Sequence, residues 1–530
     1  MRLPLFTLAL AVAADAQDSV RAPVREAAVP GTTVAGPPIR RVSTASALSK
    51  EKLGAVTSVR ELPDGRVLLN DGASRRLLLL DTMLNVERIV LDSLSEKENT
   101  YGNRQGALLP YRADSSIFID QVSLALLVLD PSGNIAKVRS VPRANDSYWF
   151  ASGQAQAGVP GTDAAGRLVY RIYAQPAPPL KPPPRGVPWF PEEADSAFIV
   201  ALDFDTRKLD TLGAFRIPKQ ELVVRMSPSG MGYSIYPKIN PMPNTDEWAL
   251  LSDGTLAFVR GIDYRVDYRN PDGSWTSSAK IPYEWVPLPD SVKERFVDSV
   301  QTAQNKAART QYVSAMIRWV NTYKRKFPEN FVAPEGYTPP NGFARDWTFP
   351  PGVTFPEKYV YACKPGEEPV VTPGADGSRA PPPDPRMAEA MAMAASMGIT
   401  LPNMPTSGNA SCIPAPVPNL AQIPNPPTTR EVVVMPANQL PDFKPPFNAA
   451  SVRPDMDGNI WVRTNPARPV PGGANVFDVI SREGKLVDRI ELPRGHSLIG
   501  FGRNRVVFLS TRDASGIHLA RIRLTPPAAR

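Results

Sequence analysis

Five side chains at equivalent points of a recurring pattern carry the clearest chemical potential in the chain: Asp71, Asp120, Arg171, Arg260 and Arg463. Each falls in a polar break after a short apolar run, with Asn70 and Gln121 beside the carboxylates and Thr511 at the sixth equivalent place. Guanidiniums grip carboxylates and other polar groups through paired N–H donors. Carboxylates beside an amide could instead hold a calcium-type ion. Two acidic and three basic positions suit a polar or carboxylate-bearing ligand better than a bare cation. The same residues could also simply end strands and pair across neighbouring units, and the sequence leaves both readings open.

Other chemistries are poorly supplied. The chain has two histidines, His496 and His518, too few for a histidine-based metal site. It has no Gly-x-Ser-x-Gly, no Gly-x-x-x-x-Gly-Lys-Ser/Thr and no His-Glu-x-x-His. No cofactor is expected. The two cysteines, Cys363 and Cys412, flank a proline-rich stretch and have neither a Cys-x-x-Cys partner nor a nearby histidine. In an exported chain they are expected to form one disulfide, limiting the unfolded ensemble by about 3 to 4 kcal/mol.

The candidate residues are carried by a repeat of turn, apolar run, polar break and second apolar run. Its clearest copies run from Pro63-Asp64-Gly65 through Leu69, then Leu77 to Asp81, and from Asp457-Gly458-Asn459 through Arg463, then Val476 to Ile480. Comparable turns lie at Gly65, Ser115–Ser116, Gly166, Gly254, Gly458 and Asn504, and three of the five intervals are close to 50 residues. That is about one four-stranded blade each, and six copies imply a six-bladed β-propeller. A sandwich has similar hairpins but does not repeat at this period.

The second blade reads Ser116–Asp120, Leu124–Asp130, a Pro131–Asn134 turn and Ile135–Val141. The fifth repeats it with Phe477–Ile480, Ser481–Gly484 and Leu486–Leu492. The sixth shows three strands, Ser497–Phe501, Arg505–Leu509 and His518–Leu524. Its missing strand is expected from Ile39–Ser43 near the N-terminus, which would close the ring and hide an edge.

The pattern Asp-Gly-x-Leu/Ile/Val-Trp/Leu/Ala-Val, a polar break, and Val-Phe/Leu-Asp-x-x-Gly-Lys/Asn, as in Val128-Leu129-Asp130-Pro131-Ser132-Gly133-Asn134, resembles six-bladed propellers of the NHL-repeat type and their bacterial secreted relatives. The likeness covers most of residues 38–262 and 445–525. It implies the fold and leaves activity wide, since such propellers bind proteins, peptides, glycans or nucleic acid and some related ones are metal-dependent lactonases.

The chain is 530 residues long with a formal charge of +8. Residues 1–16 read as a signal peptide: Met1-Arg2, an apolar Leu3–Ala13 and the small-x-small exit Ala14-Asp15-Ala16. The expected organisation continues with a flexible segment 17–37, blades one to four and the closing strand over 38–287 with a loop insertion at 174–195, a helical and proline-rich insertion at 288–444, blades five and six at 445–525 and a tail at 526–530. A helix or helix pair should start at Pro289-Asp290-Ser291 and run through Phe327, with a break at the polar stretch Gln301–Arg309. Met387–Met397 reads as a short Ala/Met-rich helix, and Trp189-Phe190 as an anchor folding back from the first insertion.

These observations together lead us to expect an exported, non-catalytic binding or scaffolding propeller, periplasmic or extracellular. Its partner would be a protein, a peptide or a polar small ligand. The alternative is a metal-dependent, lactonase-like hydrolase using Asp71 and Asp120. Export and modest positive charge disfavour nucleic acid and permit peripheral contact with anionic surfaces; no segment has the length to span a bilayer.

Overall fold

The computed structural model describes residues 36–93, 100–151, 158–173, 194–226, 233–323, 432–468, 470 and 473–526. Two short strands come first, β1 (Ile39–Arg41) and β2 (Ala47–Leu48). Blade one is β3 (Val56–Glu61), β4 (Val67–Asp71), β5 (Arg76–Leu80) and β6 (Val86–Asp92). Blade two is β7 (Ala107–Pro110), β8 (Ser116–Asp120), β9 (Ala125–Leu129) and β10 (Ile135–Ser140), followed by the short helix α1 (Ser147–Ala151). Blade three is β11 (Gly161–Thr162), β12 (Leu168–Tyr173), β13 (Ser196–Leu202) and β14 (Leu209–Arg216), and a separate hairpin, β15 (Leu222–Met226) with β16 (Tyr233–Pro237), comes next. Blade four is β17 (Glu247–Leu250), β18 (Leu256–Arg260), β19 (Arg265–Arg269) and β20 (Trp275–Ser277), and it leads to α2 (Asp290–Tyr323). Blade five is β21 (Phe447–Pro454), β22 (Ile460–Thr464), β23 (Asn475–Ile480) and β24 (Leu486–Leu492), and blade six is β25 (His496–Gly502), β26 (Val506–Arg512) and β27 (Ile517–Arg523).

Each blade is an antiparallel meander in sequence order. The turns at the six repeat positions all join the first strand of a blade to its second. Such turns need a left-handed backbone, and Gly65, Gly166, Gly254 and Gly458 provide it at φ between 71° and 87°. Asn504 (φ 56°) does so in blade six, and blade two uses Ala113 and Asp114 at φ 49° and 60°. A second device recurs: the Asp130 carboxylate accepts from the backbone N–H of Ser132 and Asn134 (2.9 and 2.8 Å) and from the Asn134 amide (3.1 Å). Asp81 with Asn85 and Asp455 with Asn459 repeat it, so a short polar pair reinforces backbone turn bonds such as those from the Gly133 N–H to the Asp130 carbonyl (2.9 Å) and from the Leu84 N–H to the Asp81 carbonyl (3.0 Å).

Six apolar seams hold the ring, one between each pair of neighbouring blades. Leu77, Leu79, Leu108 and Phe118 fill the seam of blades one and two, and Phe508, Leu519, Val67 and Leu69 fill that of blades six and one. The other four seams are built the same way. Closure is therefore shown by a core continuous from the last blade to the first: the chain is a six-bladed β-propeller.

The strand that completes blade six is not the one the sequence suggested. β2 pairs antiparallel with β27, and Ser49 and Leu53 continue the tie through N–H bonds to the carbonyls of Leu519 (2.9 Å) and Ile517 (3.0 Å). Ile39–Arg41 instead adds a fifth, parallel strand to the outer edge of blade five beside β24, secured by the Arg40 guanidinium on Asp488. A two-residue strand has too short a pattern to read, whereas Ile39–Ser43 offered the alternation of an edge strand.

By compactness the chain divides into residues 1–301 with 433–530, which hold the propeller, and residues 302–432. Of the second, the described residues are 302–323, the remainder of α2, and Val432. α2 runs unbroken through Gln301–Arg309. That stretch lacks large apolar residues, but its three alanines with Gln, Lys and Arg favour helix, so polarity alone does not interrupt it. The first insertion lies between β12 and β13, the second and third strands of blade three. Cys363, Cys412, Trp189-Phe190, Met387–Met397 and the signal segment lie outside the described residues. No helix among the described residues is long and apolar enough to cross a membrane.

Candidate functional site

The first strands of the blades, β3, β7, β11, β17, β21 and β25, are the innermost, with β25 against β3, β3 against β7, β7 against β11 and β17 against β21. They wall a cavity of about 590 Å³, the size of a small-molecule site. Its sides are mainly apolar, including Val59, Leu108, Trp149, Leu498 and Phe501. Into this setting the chain places Arg60, Arg453 and Asp455, with Arg112, Asp114 and Asp163 from the first-to-second-strand turns.

Arg60 is the most telling of these residues. It is 8% exposed, and among the described residues its Nε has no hydrogen-bond partner. Burial lowers its pKa, Asp114 acts against that, and Arg503 adds to it. Asp114 is itself paired with Arg503 at 2.5 Å. In blade five, Arg453 is pushed down to about 10 by burial, opposed by Glu247 and reinforced by Arg463. Glu247, at the start of β17, is 1% exposed and accepts from the Ala450 N–H at 2.9 Å, while its second oxygen has no partner among the described residues. Its carboxyl is pushed up to about 7 by burial, which outweighs the Ala450 bond and the attraction of Arg171 and Arg453. Asp455 is likewise raised by burial, although Asn459 and the Trp461 Nε1–H (3.0 Å) donate to it.

The five sequence-selected residues separate into two groups. Asp71, Asp120 and Arg260 end second strands, while Arg171 and Arg463 lie inside them, so all five lie one strand out from the axis. Asp71, fully buried, accepts from the N–H groups of Gly54 (3.0 Å), Ala55 (2.9 Å) and Ser74 (3.3 Å) and pairs with Arg76 at 3.3 Å. Burial would raise its pKa, and the amides of Ala55 and Gly54, with Ser74, bring it below the ordinary carboxylate value instead. Asp120 folds the next turn, accepting from the Val122 N–H (3.0 Å) and the Ser123 hydroxyl (2.6 Å). Arg260 bridges Asp246 (2.8 Å) and Asp267 (2.7 Å). These three hold local structure. Arg171, stacked on Tyr173 at 4.5 Å and Phe215 at 5.7 Å, exerts its charge on Glu247, and Arg463 exerts its charge on Arg453.

Searches against known proteins add no function to this geometry. No family model matches the chain, and no curated protein matches it in sequence. Solved structures similar to it include selenomethionine-substituted virginiamycin B lyase from Staphylococcus aureus, at 12% identity over 44% of this chain and 73% of that one, with a TM-score of 0.22. A putative exported protein from Bacteroides fragilis matches at 10% identity over 48% and 78%, with a TM-score of 0.22. A gluconolactonase from Xanthomonas campestris matches at 15% identity over 49% and 89%, with a TM-score of 0.20. Likenesses this distant carry no argument about activity, and the fold rests on the strand pairing and seams described above.

Reading the second strands missed Arg60, Glu247, Arg453 and Asp455. The available signal was a charge inside or at the end of a first strand, as in Val59-Arg60-Glu61 and Val452-Arg453-Pro454. Chemically, the cavity joins apolar walls to guanidiniums whose partners are few or shared. That combination suits recognition of a small molecule with a polar or charged group on an apolar body.

Proposed function

We propose that this chain is an exported, non-catalytic binding propeller whose axial cavity holds a small polar ligand. One observation carries the proposal: Arg60 is buried in the cavity wall with an unpartnered Nε among the described residues. A buried guanidinium without full compensation costs stability, and a ligand that supplies the missing acceptors repays it. Export is supported by the charged start, apolar stretch and small-x-small exit of residues 1–16. Of the five rim residues, Arg171 and Arg463 are the two we retain as contributors to ligand binding, acting through Arg453 and Glu247.

The test is a crystallographic screen of small polar compounds, followed by solution binding of the hits. Density in the axial cavity touching Arg60, with the compound recovered unaltered, is the expected result. Hits confined to other surfaces, or chemical turnover of a bound compound, would overturn the reading.

A further inference from the structure

We infer that the ligand of the axial cavity is a small dicarboxylate in chemical class, an apolar body with an acidic group at each end, one end held by Arg60 and the other by Arg453. This rests on the cavity being the binding site and specifies what the site selects. Three arginines and three aspartates line the cavity. The fold already fills all three aspartates. Asp455 accepts from the N–H groups of Asp457 and Asn459 (2.9 and 2.7 Å), from the Asn459 amide (2.9 Å) and from the Trp461 Nε1–H (3.0 Å). Asp163 accepts from the Arg167 backbone N–H at 2.8 Å and pairs with the Arg167 guanidinium at 2.7 Å, and Asp114 pairs with Arg503 at 2.5 Å. Among the arginines, Arg112 donates to the Ala165 carbonyl and lies over the Tyr111 ring at 5.8 Å.

That leaves two wall charges, both positive. Neither the Arg60 nor the Arg453 side chain forms a hydrogen bond or an ion pair among the described residues. Arg60 is 8% exposed, and Arg453 is half-buried where it borders the cavity. A guanidinium offers paired N–H donors that fit a carboxylate, whereas an incoming ammonium group would find each wall carboxylate already holding a donor. Arg60 belongs to β3 of blade one and Arg453 to β21 of blade five, and β25 of blade six stands between those strands in the ring. β25 brings Leu498 and Phe501 to the cavity, with Phe501 backed by the Trp461 ring at 5.0 Å. The wall therefore runs guanidinium, apolar surface, guanidinium. Its complement is acid, hydrocarbon, acid.

Calorimetric titration of the full chain with succinate, glutarate, adipate, pimelate and suberate tests this. Hexanoate serves as the single-ended acid, dimethyl adipate as the neutral body and inorganic phosphate as the compact anion. Affinity should peak at one chain length, because the two guanidiniums are fixed on separate strands, and the best diacid should bind at least about tenfold tighter than hexanoate, dimethyl adipate or phosphate. That series needs no variant. Arg60→Met and Arg453→Gln should each bring the best diacid down to no better than hexanoate binds the unaltered chain. Hexanoate, dimethyl adipate or phosphate binding as tightly as the best diacid, or diacid affinity that falls in only one of the two variants, overturns the inference while leaving the cavity as the ligand site. Failure of every probe to bind, charged and neutral, or diacid binding indifferent to both substitutions, overturns both.

Discussion

Arg60 and Asp71, in adjacent strands of one blade, put buried charge to opposite uses. Asp71 is surrounded by donors that the fold itself supplies, so its charge organises the loop between Gly54 and Ser74. Asp71→Asn should lower the unfolding free energy in urea by about 2 kcal/mol, with ligand affinity unchanged. Arg60 lacks such compensation, so Arg60→Met should raise the stability of the empty protein by about 1 kcal/mol while removing binding, as expected where a site is kept at the expense of the fold. A stability loss in Arg60→Met would mean that the guanidinium serves packing. Glu247 adds a pH signature. Its pKa rises from 4.5 to about 7 on folding, so the folded state holds the proton more tightly. Its stabilising contribution is complete below pH 4.5 and is lost as pH climbs to about 7, a fall of up to roughly 3 kcal/mol. Glu247→Gln should lack that fall, so its advantage over the unaltered chain in urea unfolding should grow between pH 5 and pH 8.

At the scale of elements, the N-terminal strands make separable contributions. Removing residues through Ser43 deletes β1, an edge addition to blade five, and should cost about 1 kcal/mol. Removing residues through Leu53 also deletes β2, with the Ser49 and Leu53 ties to β27, buried Leu53 and the Ser49 hydroxyl that accepts from the Leu519 N–H. That should cost about 4 kcal/mol or more and broaden the thermal transition, because blade six loses its fourth strand. Equal losses in the two truncations would contradict this assignment of closure. The same elements show how far sequence reading reaches. Hairpins such as Phe477–Leu492 were legible because alternation and turn chemistry are local properties. The closing role of Ala47–Leu48 was not, since a two-residue strand has no period and gains its meaning from β27, hundreds of positions away. The rim residues are not all equivalent: Asp71, Asp120 and Arg260 are the last residues of their strands, whereas Arg171 and Arg463 come one place earlier in the repeat, before the strand ends. Which of them are already partnered depends on neighbours such as Gly54, Asp246 and Asp267, brought up by tertiary packing. Arg60 and Glu247 stayed hidden for the same reason: only ring closure turns the first strands inward.

For the whole molecule, the axial cavity draws every wall residue from the propeller unit, within residues 57–501 and outside 302–432. The two chain ends flanking the second unit are already held together: the Val434 N–H donates to the Gln301 side-chain oxygen at 3.1 Å, Val434 bridges to Ile239, and the Leu288 N–H donates to the Asp442 carbonyl at 2.7 Å. A short Gly/Ser linker in place of residues 302–432 can therefore join Gln301 to Val433 without moving either. Six blade-to-blade seams remain intact in such a variant, and the closure entropy of a loop of about 130 residues is exchanged for that of about six, a gain of at most roughly 3 kcal/mol. The shortened protein should unfold in one cooperative transition at a midpoint no lower than that of the full chain, and bind the same small polar compounds in the axial cavity. A lower midpoint would show that residues 302–432 stabilise the propeller. Unchanged stability with lost binding would place part of the ligand site in that unit, and the cavity alone would then be insufficient.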